Sequence, residues 1–85
     1  MKKIICDIRF GLAKQVVHVL DSDTGKYETF KLSLQEIPQF FFNYNDIEEV
    51  QLGGPIAFTS KIERTTRELE NQKYSDRKKI RFYYI

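Results

Sequence analysis

The run Val50-Gln51-Leu52-Gly53-Gly54-Pro55 constrains this chain more than any other segment. Glu48 and Glu49 precede it and an amphipathic stretch reaching about Gln72 follows it, so it reads as a buried strand passing through a glycine turn into a helix. In an open α/β sheet such a turn lies at the carboxyl end of a strand, where ligands tend to sit. Two glycines without a Cβ let another backbone or a phosphate come close. Gly53 and Gly54 are therefore candidate site residues.

Eighty-five residues with 41% hydrophobic content make one domain, 1–85, near the lower limit at which packing alone sustains a core. Cys6 is the single cysteine, so no internal disulfide can form, and no cluster of Cys and His marks a metal site. The expectation is a reducing, cytoplasmic setting, with no metal and no cofactor. Asp7 and Arg9 interrupt the leading apolar run long before it could serve as a signal-peptide core or span a bilayer, so no membrane association is expected.

Turn chemistry and periodicity place the elements. Residues 3–8 are β-branched and bounded by Gly11, the pattern of a first strand with Asp7 near its exit. Residues 14–20 and the alternating Tyr27, Thr29 and Lys31 flank Asp21-Ser22-Asp23-Thr24-Gly25, which predicts an antiparallel hairpin. Ser33 and Glu36 are spaced as a capping box, although Pro38 could itself open the helix. Residues 47–52 form the fourth strand and 57–72 the second helix, with Phe58, Ile62, Thr65 and Leu69 on one face and Lys61, Arg64, Arg67 and Glu68 opposite. After the polar residues 71–76, residues 79–85 close the chain as a fifth strand. The predicted fold is α+β: a mixed five-stranded sheet in the order β-β-β-α-β-α-β.

This order, with an acidic residue ending the first strand and a glycine turn after the fourth, resembles the core of the ribonuclease H-like superfold, which includes actin-like ATPases, junction resolvases and transposases. Asp7-Ile8-Arg9-Phe10-Gly11 with Lys14 is similar to the first phosphate loop of the actin-like ATPases, and Leu52-Gly53-Gly54-Pro55 with Ala57 to their adenosine segment. The departures weigh against catalysis. Arg9 stands where the family's loop has Gly, no Ser or Thr follows, and the chain supplies one lobe of the two that enclose ATP. Asp7 matches the first metal ligand of the nuclease branch, but that chemistry needs further carboxylates around two ions, and this fourth strand ends in Gly53-Gly54. No catalytic residue is expected.

Other chemistry-bearing residues have ordinary explanations. Asp21, Asp23 and Gly25 start like a calcium loop but lack its bidentate Glu, which favours a turn. His18 sits in a strand without a nucleophile pattern, and Cys6 among isoleucines behaves as a small apolar group.

The basic set is the strongest binding signal. Residues 55–85 hold eight basic against four acidic side chains, whereas residues 1–54 hold six against eight. Lys61, Arg64 and Arg67 lie along one helix face, while Arg77, Lys78, Lys79 and Arg81 lead into the last strand beside Tyr83 and Tyr84. Cations interleaved with aromatics suit a nucleic-acid backbone and unstacked bases, although an ordinary solvated face has the same composition. In Phe40-Phe41-Phe42 and Phe82-Tyr83-Tyr84, consecutive side chains cannot all point one way, so some are expected to face outward as a partner or homodimer surface.

The sequence thus points to a small non-enzymatic interaction protein with a basic, aromatic carboxyl-terminal face that meets a protein partner or a second copy. Its size suits an accessory protein of a phage or mobile element. A nucleic-acid-binding protein or degenerate magnesium-dependent nuclease using Asp7, and a self-assembling structural subunit, are the alternatives.

Overall fold

The computed structural model describes residues 2–44, 47–73 and 79–85. The elements are β1 (Lys2–Asp7), β2 (Gln15–Asp21), β3 (Tyr27–Leu32), α1 (Ile37–Asn43), β4 (Ile47–Gly53), α2 (Ile56–Lys73) and β5 (Arg81–Tyr84). The five strands form one mixed sheet in the order β3-β2-β1-β4-β5. β2 runs antiparallel to both β1 and β3, whereas β1, β4 and β5 run parallel. Parallel neighbours need a crossover connection: the chain returns from β3 through α1 to place β4 beside β1, and α2 carries it from β4 to β5. The α+β class and the element order expected from the sequence are therefore present.

Burial alternates along the strands. Ile4 and Cys6 of β1, Val17 and Val19 of β2, and Val50 and Leu52 of β4 are buried with Ile37 and Phe41 of α1 and Ile62 of α2. Lys3, Ile5 and Asp7 project from the other side of β1. Both helices thus pack on one face, and among the described residues no helix or strand covers the second face. Alternation of this kind is how a sheet seals one side and leaves the other to solvent.

Several local expectations change. α1 begins at Ile37 rather than at Ser33, with Pro38 in its first turn, where its missing N–H costs no helical bond. Half of the capping box survives: the Ser33 amide donates to the Glu36 carboxylate at 3.1 Å. The α1 rings do not face outward. Phe41 and Phe42 are buried, and Phe40 packs on Phe30 and Tyr44 with ring centroids 5.0 and 5.2 Å away. A helix lying against both the sheet and α2 has two covered sides, so consecutive aromatics find burial in different directions. On α2 the buried stripe is Thr59, Ile62, Thr66 and Glu70 rather than Phe58, Ile62, Thr65 and Leu69. The two buried threonines return their hydroxyls to the carbonyls of Ile56 and Ile62, which satisfies them without a partner outside the helix. β5 covers four residues instead of seven, and Arg77 and Lys78 lie outside the described residues.

The glycine turn is filled by the chain itself. Ile8 donates its amide to the Gly53 carbonyl at 2.8 Å, and Gly54 has φ 112°. A Cβ on Gly54 would stand 2.3 Å from the Ile8 carbonyl oxygen. Gly54→Ala is therefore expected to lower the unfolding free energy by about 3 kcal/mol, combining a disfavoured backbone with an overpacked contact. Gly25 has φ 74° and open space around its would-be Cβ, so Gly25→Ala carries only the backbone part, about 1 kcal/mol. Urea titrations of the two variants check the ordering, and equal losses would rule out the close approach to Ile8 as its cause.

Candidate functional site

The uncovered sheet face is built by strand register. Tyr83, Gln51, Ile5, His18 and Thr29 stand side by side across all five strands, and Arg81, Glu49, Lys3, Leu20 and Tyr27 form the next row. Ile5 is 39% exposed, Tyr83 46% and Tyr27 59%. His18 and Tyr27 stack with ring centroids 5.4 Å apart, and the His18 Nδ1 lies in hydrogen-bond reach of the Tyr27 hydroxyl and of Thr29 Oγ1. Lys3 approaches Glu49 at 3.9 Å. The face is thus mixed: Ile5 and the Lys3–Glu49 pair lie on the central strands β1 and β4, and the Tyr27 and Tyr83 rings lie on the edge strands β3 and β5.

The basic set expected to form one surface is divided by the fold. Arg81 and Tyr83 belong to the open face, whereas Phe82 and Tyr84 turn toward α2, as alternation in a strand requires. Tyr84 donates its hydroxyl to the Glu63 carboxylate. Arg67 is engaged inside the molecule: its guanidinium sits 5.0 Å from the Phe82 ring centroid and donates to the buried Glu70 at 3.2 Å, with Glu63 at 3.9 Å. Lys61 and Arg64 are exposed on α2, on the helical layer, and Lys79 is exposed just before β5. The structure therefore joins Arg81 with Tyr83, sets Lys61 and Arg64 on another surface, and assigns Arg67 and Tyr84 to the α2–β5 contact.

At the carboxyl ends of β1 and β4, Asp7 and Gly53 are register partners. A Cβ on Gly53 would stand 2.9 Å from Asp7 Oδ1, so the carboxylate lies over the glycine. Its other oxygen meets Arg9 Nε at 3.4 Å. Among the described residues no three His, Cys, Asp or Glu side chains are grouped to hold a metal ion. Asp21 and Gly25 form the expected turn: the Gly25 amide donates to the Asp21 carbonyl at 2.8 Å, and the Asp23 amide donates to the Asp21 carboxylate, which lowers its pKa. Burial pushes the Cys6 thiol up to about 12.

Sequence reasoning missed the loop between β1 and β2. Gln15 is buried; its Oε1 accepts from the Arg9 amide at 2.9 Å, and its Nε2 donates to the carbonyls of Arg9 at 3.0 Å and Leu12 at 3.3 Å. This clamp holds a loop on which Phe10 is 74% exposed, its ring edge-on to Phe58 at 5.0 Å. The available signal was two large apolar residues, Phe10 and Leu12, in a segment with no strand or helix period. No helix among the described residues is long and apolar enough to cross a membrane. Comparison with protein-family models and with curated proteins finds no match.

Two predictions separate internal from free groups. Arg67→Gln leaves the buried Glu70 carboxylate without its cation and is expected to cost about 2 kcal/mol, whereas Arg64→Gln on the exposed face stays within about 0.5 kcal/mol of the parent. Chemical denaturation measures both, and similar values would remove the internal role of Arg67. Partial burial and the Glu63 carboxylate raise the Tyr84 pKa from 10.0 to about 12. A raised pKa favours the neutral phenol in the folded chain, so its stabilisation is complete below pH 10 and lost as pH rises through about 12. Tyr84→Phe should flatten the fall in stability across that window, as followed by urea midpoints at successive pH values, and an unchanged slope would contradict the assignment.

Proposed function

We propose that this chain is a small non-enzymatic interaction protein that holds a protein partner against the uncovered face of its sheet, along the border formed by β5. The observation that carries this reading is the placement of both helices on one face, which leaves Ile5, Tyr27 and Tyr83 exposed on the other. Exposed apolar and aromatic side chains on one sheet face, interspersed with polar and charged groups, suit a partner surface. We also read the fold as a minimal ribonuclease H-like lobe, a reading supported by the strand order and by Asp7 at the carboxyl end of β1 beside Gly53. The setting of Asp7, paired with Arg9, supports a binding rather than a catalytic role.

A second reading, single-stranded nucleic acid on the same face, draws on Tyr27, His18 and Tyr83 sharing it with Lys3, Lys31 and Arg81. Rings and cations on one surface are the elements of a stacking platform.

The test is affinity isolation from the source organism with two baits in parallel, the parent chain and Ile5→Asp/Tyr83→Asp. The parent is expected to retain a protein that the double variant loses by about tenfold or more, the effect of removing a central anchor. The variant keeps its circular dichroism spectrum, since both positions are already solvent-accessible. Identical retention by the two baits overturns the sheet-face reading. Retention abolished by nuclease, together with oligonucleotide binding that weakens steeply with salt, replaces it with the nucleic-acid reading.

A further inference from the structure

The helical layer carries a second surface, on the opposite side of the molecule from the open sheet face. Between α1 and α2 runs an open groove of about 520 Å³ whose walls include Leu34 and Pro38 on the α1 side and Ala57, Phe58, Lys61 and Ile62 on the α2 side. The apolar surface continues beyond the groove through the edge-on contact of Phe58 with the exposed Phe10. Ile56, immediately before Ala57, is 76% exposed. We infer that this groove receives an amphipathic helix of a partner protein whose acidic side chains flank its apolar stripe.

Three observations select that occupant. The first is backbone chemistry. The groove lies between two helices whose interior N–H and C=O groups are already paired within each helix, so an extended segment laid in it would find no ladder, whereas a helix satisfies its own backbone. The second is length. Residues 57 to 65 of the wall cover two helical turns, about 12 Å at 1.5 Å per residue, which matches apolar side chains at i, i+4 and i+7 of a docked helix.

The third is charge. Lys61 is part of the groove wall, and Arg64 is exposed three residues further along the same helix. Neither is in an ion pair among the described residues, unlike Arg67, which is held by Glu63 and Glu70. Glu36, the nearest acid in sequence to the α1 wall, turns its carboxylate to the Ser33 amide. The rim is therefore cationic and calls for carboxylates. A second copy of this chain is a poorer match: α1 has no acidic residue in its first turn and exposes Gln39 and Asn43, and on the exposed face of α2 the cations Lys61 and Arg64 outnumber the one acid, Glu68.

The experiment is selection from a display library of random 16-residue peptides on the parent chain and, in parallel, on Ala57→Glu. Ala57 is exposed, so the new carboxylate enters the groove without disturbing the core. Enriched peptides are expected to carry apolar residues at helical spacing with a net negative charge, and to be enriched at least tenfold more on the parent than on the variant. Lys61→Glu/Arg64→Glu should reverse the preference toward basic peptides. Absence of enrichment, enriched sequences without acids, equal enrichment on Ala57→Glu, or a preference that survives the charge reversal each overturns the inference. Circular dichroism checks the fold of each variant; should Ala57→Glu fail to fold, Gln35→Glu, at an exposed position of the groove wall, takes its place. The Ile5→Asp/Tyr83→Asp chain keeps the selected peptides if the groove binds them, and their loss on that variant would move the site to the sheet face. Failure here thus leaves the sheet-face reading standing.

Discussion

The parallel seam between β1 and β4 is the contact on which the rest of this fold depends. Their residues are far apart in sequence and pair only after α1 has crossed the sheet, so no local signal brings them together. The seam ends where Ile8 donates to the Gly53 carbonyl and its own carbonyl presses against Gly54. From that point the chain enters α2, whose first turn is closed by the Pro55 carbonyl accepting from the amides of Phe58 and Thr59. The close approach of two backbones therefore fixes the origin of α2. With it are fixed the groove beside α1, the contact of Phe58 with Phe10, and the direction in which the chain returns to form β5.

How much of this was legible in the sequence follows from the range of each interaction. The β2–β3 hairpin could be read because Asp21, Asp23 and Gly25 encode their turn within five residues, and the same carboxylate and amide make it in the structure. The order of elements could be read because each has its own period. The rotation of α2 could not. Phe58 is the larger apolar group, yet Thr59 occupies the buried position, because Phe58 finds a ring on the β1–β2 loop that no pattern places beside it. Tertiary contact overrides a helical wheel whenever two faces are nearly equal in apolar content. The Gln15 clamp was hidden for a related reason: an amide in a strand reads as a surface residue until the carbonyls of Arg9 and Leu12 are seen to converge on it.

The charges show the same limit. A helical face bearing Lys61, Arg64 and Arg67 looks continuous in sequence, but the three residues have different surroundings. Arg67 leans over Phe82 and closes on Glu70, which would otherwise be a buried carboxylate without a cation. That cation is part of how a four-residue edge strand is held to the helix above it, together with the hydroxyl of Tyr84 on Glu63. A short edge strand exposes few backbone groups, so its attachment through side chains matters more than its ladder. Basic residues in a small domain therefore divide into those that bind the chain to itself and those left for a partner, and only the surrounding acids tell them apart.

A sheet sealed on one side only leaves this chain with two surfaces of different character. The open face is flat, built by strand register, and mixes Ile5, Tyr27 and Tyr83 with charges that largely neutralise one another, as Lys3 does with Glu49. The helical face is grooved, its walls largely apolar, with Lys61 in one wall and Arg64 exposed nearby on the same helix. A mixed sheet face selects partners by shape and exposed rings, whereas a grooved cationic one selects by charge as well. Because the two lie on opposite layers of a unit only two layers thick, occupation of one leaves the other accessible. Both surfaces depend on the β1–β4 seam: it orders the strands that form the one face and sets the helix that walls the other.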